Sequence, residues 1–112
     1  MTTYLATYGT LGPGRPNHHQ LAGLDGRWFK GIARGKLVQA GWGADLGFPG
    51  LQLDHGGECI EVDVLASSDL PRHWPNLDAF EGEGYRRVSA PIETSDGIVE
   101  AWIYVLASVQ RT

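Results

Sequence analysis

The sequence predicts an α+β domain: a mostly antiparallel sheet, curved or closed into a small barrel, with one main α-helix. Three observations lead there. Segments rich in β-branched and aromatic residues recur along the chain, separated by glycine-rich turns. Only one stretch, residues 67 to 82, carries an apolar stripe at helical spacing between start and stop signals. That stretch lies between strands, which favours an antiparallel sheet curling on itself over alternating βαβ units.

Each element has its own justification. Thr3 to Tyr8 reads as a strand, and Gly9 to Gly14 as a loop by composition. Asn17 to Leu21 is a candidate short helix. Trp28 to Ala40 reads as one long bent strand, with Gly31 and Gly35 as candidate bulge or bend positions. Gly41 to Gly50 is a loop, Leu51 and Leu53 begin a short strand, and Gly56-Gly57 is expected to turn a hairpin into Cys59 to Leu65. Within that last strand Ile60, Val62 and Val64 share one face, opposite Glu61 and Asp63.

Ser67-Ser68-Asp69 is a helix start, with the serines as candidate caps. Leu70, Trp74, Leu77 and Phe80 then form the core-facing stripe. Pro71 is harmless in the first turn, whereas Pro75 either kinks this helix or begins a second one. Gly82 is a natural terminator. Tyr85 to Thr94 and Ile98 to Leu106 are the final strands, joined around Ser95-Asp96-Gly97 as a hairpin.

Composition narrows the function. At 112 residues the chain suits one domain, residues 1–112, with one modest core. Nine Lys and Arg against thirteen Asp and Glu give a net charge of −4, which argues against a nucleic-acid partner. No apolar run approaches the roughly 20 residues that span a bilayer, and Met1 to Tyr4 lacks a leader pattern. With a single cysteine, Cys59, no internal disulfide forms, and the expected location is cytoplasmic.

Two places carry chemistry. The loop Tyr8-Gly9-Thr10-Leu11-Gly12-Pro13-Gly14 either makes a turn only or aims successive backbone N–H groups at a carboxylate or oxyanion. A phosphate loop is set aside, because Arg15-Pro16 stands where Lys and then Ser or Thr are needed. The second place is Leu77 to Arg87. Glu81 falls at the negative end of the helix dipole, with Asp78 three residues earlier on nearly the same face. Both effects raise its pKa and suit a general base and acid, unless Arg86 or Arg87 pairs with it.

Other reactive residue types point nowhere specific. His18, His19, His55, His73 and Cys59 have no ligand spacing, so no metal is expected. Cys59, beside Ile60, reads as a buried inert thiol. The tryptophans at 28, 42, 74 and 102 read as core, with Trp42 a candidate pocket wall.

Tyr8-Gly9-Thr10-Leu11 followed by Gly14, Pro16, Asn17 and His18 resembles the opening motif of the γ-glutamyl cyclotransferase-like family. Leu77-Asp78-Ala79-Phe80-Glu81-Gly82 with Tyr85-Arg86-Arg87 resembles its second motif, and Phe48-Pro49-Gly50-Leu51 its proline-containing segment. The likeness runs from Tyr4 to Tyr104 and is nearest to the γ-glutamylamine cyclotransferase, AIG2-like branch. It implies a small mixed, mostly antiparallel β-barrel with one main α-helix packed on it, and a cofactor-free enzyme that cyclises a γ-glutamyl group to 5-oxoproline and releases an amine. Tyr8, Gly9, Thr10 and Leu11 would bind the substrate and Glu81 would transfer protons. Gly12-Pro13 departs from the basic residues often found there, which bears on the leaving amine. The competing readings are a non-catalytic small-molecule binding or regulatory module, a γ-glutamyl deprotecting enzyme of a biosynthetic pathway, and a structural interaction domain.

Overall fold

The computed structural model describes residues 2–8, 11–14, 18–21, 23–38, 50–54, 56–82 and 85–106. The elements in chain order are β1 (Thr3–Thr7), a 3₁₀ turn (His18–Gln20), β2 (Arg27–Val38), β3 (Gly50–Leu53), β4 (Glu58–Ser67), α1 (Leu70–Glu81), β5 (Tyr85–Thr94) and β6 (Gly97–Leu106). The order across the sheet is β3-β2-β4-β1-β6-β5, and β2 also pairs with β5 at Ile32 and Glu93. That last pairing closes a five-stranded barrel, β2-β4-β1-β6-β5, with β3 attached to β2. One contact is parallel, β1 with β6; the others are antiparallel. The mixed, mostly antiparallel barrel with one helix is the architecture that the sequence predicts.

The alternation along each strand builds two apolar layers. Inside the barrel lie Ala6, Ala33, Leu51, Ile60, Val62, Val64, Ile92, Ile103 and Val105. Outside it, under α1, lie Leu5, Leu11, Leu21, Leu65, Leu70, Leu77 and Tyr104. The stripe along α1 explains the docking: Leu70 and Leu77 are fully buried, and Trp74 and Phe80 pack at the margin. Pro75 sits inside one continuous helix of 12 residues rather than starting a second.

The helix begins at Asp69 without a side-chain cap. Ser67 Oγ instead accepts from the Asp69 N–H at 3.1 Å, and the Asp69 carboxylate accepts from the backbone N–H of Asp25 at 3.0 Å. The serine caps expected from sequence are therefore absent, because the carboxylate and hydroxyl serve the approach to the helix. At the other end Gly82 adopts φ +80°, a conformation costly for residues with a Cβ, and its N–H donates to the Asp78 carbonyl.

Two local expectations are corrected. Gly56-Gly57 does not turn a hairpin. β3 and β4 lie on opposite edges of β2, and Leu53 and Glu58 both pair with Gly35. The chain therefore crosses over β2 at Gly35. A Cβ on Gly57 would lie 2.8 Å from the Gly35 carbonyl oxygen and 2.9 Å from its Cα. Gly31 and Gly35 likewise mark no bulge, since β2 and β4 pair without interruption from Arg27–Ala66 to Gly35–Glu58. Gly31 allows close approach instead: a Cβ there would stand 2.6 Å from the Ile92 side chain, where the barrel closes.

Cys59 is exposed, not buried. It shares the outer face of β4 with Glu61 and Asp63, not the inner face of Ile60. The β5–β6 hairpin agrees with its turn signal: Thr94 pairs with Gly97, and Thr94 Oγ1 donates to the Gly97 carbonyl at 2.6 Å. Most of the loop before Gly50, including Trp42, Phe48 and Pro49, lies outside the described residues, as does His55. Among the described residues no helix is long and apolar enough to cross a membrane.

Candidate active site

Tyr8 and Glu81 are more than seventy residues apart, and the fold brings the described parts of their two motifs together. β1 delivers Tyr8 to the rim of the barrel. Leu11 follows and is buried in the same apolar cluster as Leu70 and Leu77 of α1. The loop after β1 and the helix that ends in Glu81 thus share one footing. Gly9 and Thr10 lie outside the described residues.

Tyr8 is a cross-brace. Its hydroxyl donates to the Tyr104 carbonyl at 2.7 Å and accepts from the Leu51 N–H at 3.0 Å. One phenol therefore ties the end of β1 to β6 and β3. Burial raises its pKa, and the negative charge of Glu81 adds to the rise. That charge also adds to the rise in Tyr104, whose main causes are burial and its hydrogen bond to Asp78. Both phenols stay neutral donors. His18 braces the loop from below: its Nδ1 lies 3.0 Å from the Leu11 carbonyl, so Nδ1 carries the proton, and its ring packs 5.5 Å from that of Trp28.

Glu81 closes α1. Burial pushes its carboxyl up to about 7. The direction agrees with the sequence reading, but the cause does not. Like-charge repulsion from Asp78 is the sequence expectation; in the fold the Asp78 carboxylate is engaged in its own ion pair. Arg87 donates to it through Nε at 3.1 Å and through a terminal nitrogen at 3.2 Å. Tyr104 Oη donates to the same carboxylate at 2.6 Å. The Arg87 bond holds Asp78 below its ordinary range. Arg87 is also spread over two indoles, 4.2 Å from the Trp74 ring centre and 5.0 Å from that of Trp102. The cation that threatened to pair with Glu81 is therefore engaged elsewhere.

A carboxyl poised near neutrality can both accept and return a proton. Sequence reasoning missed Tyr104 and the Asp78–Arg87 pair as parts of this site. Tyr104 had a faint signal, as a polar-tipped residue on the buried face of a strand. The partnership of Asp78 with Arg87 had none, since it depends on how α1 lies across β5. A concavity of about 590 Å³, lined by Arg34, Leu53, Asp54, Ser89, Pro91 and Glu93, lies apart from these residues on the barrel wall. Its charges are spent on the Arg34–Glu93 ion pair at 2.8 Å and on the Asp54 bond from the Gly56 N–H. No three His, Cys, Asp or Glu side chains converge as metal ligands among the described residues.

Comparison with known proteins follows the same lines. Residues 5–112 match the family described as γ-glutamyl cyclotransferase, AIG2-like. No curated protein matches the sequence. Among solved structures, YkqA from Bacillus subtilis is 30% identical, with a TM-score of 0.73, over 95% of this chain and 36% of its own. The chain thus spans about a third of YkqA. An AIG2-like protein from Mus musculus is 22% identical, with a TM-score of 0.75, over 97% of this chain and 80% of its own. An uncharacterised protein from Pyrococcus horikoshii is 24% identical, with a TM-score of 0.64, over 97% and 81%. The last two share the fold.

Proposed function

The chain belongs to the γ-glutamyl cyclotransferase, AIG2-like family, and we propose that it cyclises a γ-glutamyl group to 5-oxoproline with release of an amine. The observation that carries this reading is the Glu81 carboxyl, held near neutrality by burial beside the Tyr8 loop. In this reaction the substrate's own α-amine attacks its γ-carbonyl. Enzyme nucleophile, metal and cofactor are all dispensable, because attack within one molecule starts from a high effective concentration. The protein must fold the glutamyl chain, take a proton from the α-ammonium, stabilise the tetrahedral oxyanion and protonate the departing nitrogen.

Glu81 serves both proton steps. As the carboxylate it accepts a proton from the α-ammonium; the ring C–N bond forms; the carboxylic acid returns that proton to the leaving nitrogen as the old C–N bond breaks; the regenerated carboxylate then takes the second proton from the ring nitrogen, and the released amine carries it away as an ammonium. Backbone N–H groups of Tyr8, Gly9, Thr10 and Leu11 supply the anionic contacts. The Tyr8 hydroxyl is already paired in both directions, so Tyr8 contributes its backbone and ring and fixes where the loop starts. The site works in the cytoplasm on a small molecule.

Release of 5-oxoproline from a panel of γ-glutamyl amines and γ-glutamyl amino acids tests the reading. Turnover of at least one compound is expected, and a folded protein that turns over none contradicts it. The panel also reads selectivity. The α-carboxylate is common to all substrates and, in this reading, is what the backbone of the loop binds, so its amidation leaves N–H donors poorly paired, at about 1–3 kcal/mol each. A fall in kcat/KM of roughly tenfold or more on amidation is expected, against a shallow dependence on the amine, since Gly12-Pro13 offers it no charged side chain. Equal turnover of free and amidated forms would assign the loop to the other end of the substrate.

A further inference from the structure

We propose that Asp78 is a positioning residue that holds the Arg87 guanidinium and the Tyr104 hydroxyl beside Glu81, so that Glu81 works without a cationic partner. The inference rests on the proposed cyclisation for its purpose, but its physical content does not depend on turnover. Asp78 and Glu81 lie three residues apart on α1, nearly one turn. Arg87 reaches that turn from β5 and makes two hydrogen bonds to Asp78, at 3.1 and 3.2 Å. Its side chain is only 21% exposed, and the guanidinium lies over Trp74 and Trp102. Such a fork-on-carboxylate pair fixes an arginine in place far better than a single contact does.

The groups around Glu81 can be taken element by element. α1 contributes Asp78. The segment after β1 contributes Tyr8, and β6 contributes Tyr104; both phenols are neutral, as burial raises them. β5 contributes Tyr85, Arg86 and Arg87. Arg86 is exposed, and the alternation of the strand turns it away from the helix. Among these groups Arg87 is the cation anchored nearly one helical turn from Glu81, through its two bonds to Asp78. Burial is the cause of the high Glu81 pKa, and Glu81 makes no ion pair among the described residues. An arginine freed to turn by a few ångströms would supply one, and an opposite charge within about 4–6 Å lowers a carboxyl pKa by roughly one to three units.

Tyr104 gains an orientation from the same carboxylate. With its O–H proton committed to Asp78 Oδ1, the phenolic oxygen is left with lone pairs to offer. An α-ammonium has only donors to give, so an oriented acceptor near Glu81 suits it. Asp78 thus keeps the base free and turns the neighbouring phenol into an acceptor, while touching no substrate itself.

The test is a titration of the Glu81 side-chain carboxyl carbon by NMR in the full chain, which needs no substrate. The variants are Asp78→Asn, Arg87→Gln and the two together, with Asp78→Ser in place of Asn if that variant does not fold. The Asn variant removes the charge that holds Arg87 while its amide oxygen still accepts from Tyr104. Its Glu81 midpoint is expected to fall by at least about one unit from that of the wild type. The double variant, with no cation to release, is expected to return to within a few tenths of a unit of the wild type. The acid limb of the kcat/KM profile should move with the midpoint where turnover is measurable. A Glu81 midpoint unchanged in the single variant overturns the proposal. So does a double variant that titrates as low as the single one, since the drop then comes from losing the Asp78 charge itself. Absence of 5-oxoproline with the expected titrations contradicts the proposed cyclisation and leaves the positioning role standing.

Discussion

Replacing Glu81 with Gln is expected to cut 5-oxoproline formation by a factor of about 100 or more, the lower range for losing a general acid–base group. The amide keeps the shape and fits the same space at the end of α1 but cannot take a proton from the α-ammonium. Binding of a γ-glutamyl ligand is expected to persist, so the loss falls on kcat. The variant also carries a stability signature. The Glu81 pKa is raised in the folded protein, from the ordinary 4.5 to about 7, so its neutral form is favoured there. That contribution is complete below about pH 4.5 and is lost as pH rises through 7, to a limit of about 3 kcal/mol. Gln has no such loss. Urea unfolding at pH 5 and pH 8.5 is expected to show the variant gaining on the wild type at the higher pH. A variant that cyclises at near wild-type rate would remove Glu81 from the chemistry.

The other large effect is structural and concerns the crossing at Gly35. Here the chain leaving β3 passes over β2 to begin β4, and backbone lies directly on backbone. A Cβ at Gly35 would collide with the Gln52 carbonyl oxygen, and one at Gly57 would stand 2.8 Å from the Gly35 carbonyl oxygen. In both cases the closest atom is backbone, which has no flexible end to yield. Gly35→Val is expected to cost about 3 kcal/mol or more, the upper range for overpacking, because the strands themselves must part. Gly56→Ala is the control. Its nearest neighbour would be the Asp54 carboxylate oxygen at 3.8 Å, an ordinary contact, and a change within about 0.5 kcal/mol is expected. Equal unfolding midpoints for the two variants would show that the crossing tolerates a side chain.

These two sites illustrate what the sequence reveals and what it conceals. The stripe Leu70, Trp74, Leu77 and Phe80 and the alternation of Ile60, Val62 and Val64 are local patterns, and each found its apolar layer. The turn at Ser95-Asp96-Gly97 is legible for the same reason: it is written in neighbouring residues. Gly56-Gly57 has the same local appearance, yet the strands it joins do not pair with each other. Whether two strands share an edge or flank a third depends on partners elsewhere in the chain. Cys59 was misjudged from its neighbour Ile60, when parity with Glu61 and Asp63 would have placed it outside.

The candidate site divides in the same way. Glu81 at the end of a helix, and a loop opened by Tyr8, are visible as motifs. The direction of the Glu81 pKa follows from position, but its cause does not. Repulsion by Asp78 is the natural reading along one helix face; in the fold that charge is answered by Arg87, nine residues on and across a strand. Burial at the helix end takes its place. Tyr104 is more remote still, since nothing near it in sequence ties it to Asp78.

One physical property of Glu81, a carboxyl raised by burial, meets one chemical task, proton transfer in cyclisation. The measurement that bears on both is the pH dependence of kcat/KM for 5-oxoproline release by the wild-type protein, which reports the essential groups of the free enzyme. A rise with pH whose midpoint lies near 7, where burial places Glu81, is the expected result. A midpoint near the ordinary glutamate value, or a profile flat from pH 5 to about pH 8, would show that Glu81 is not the base.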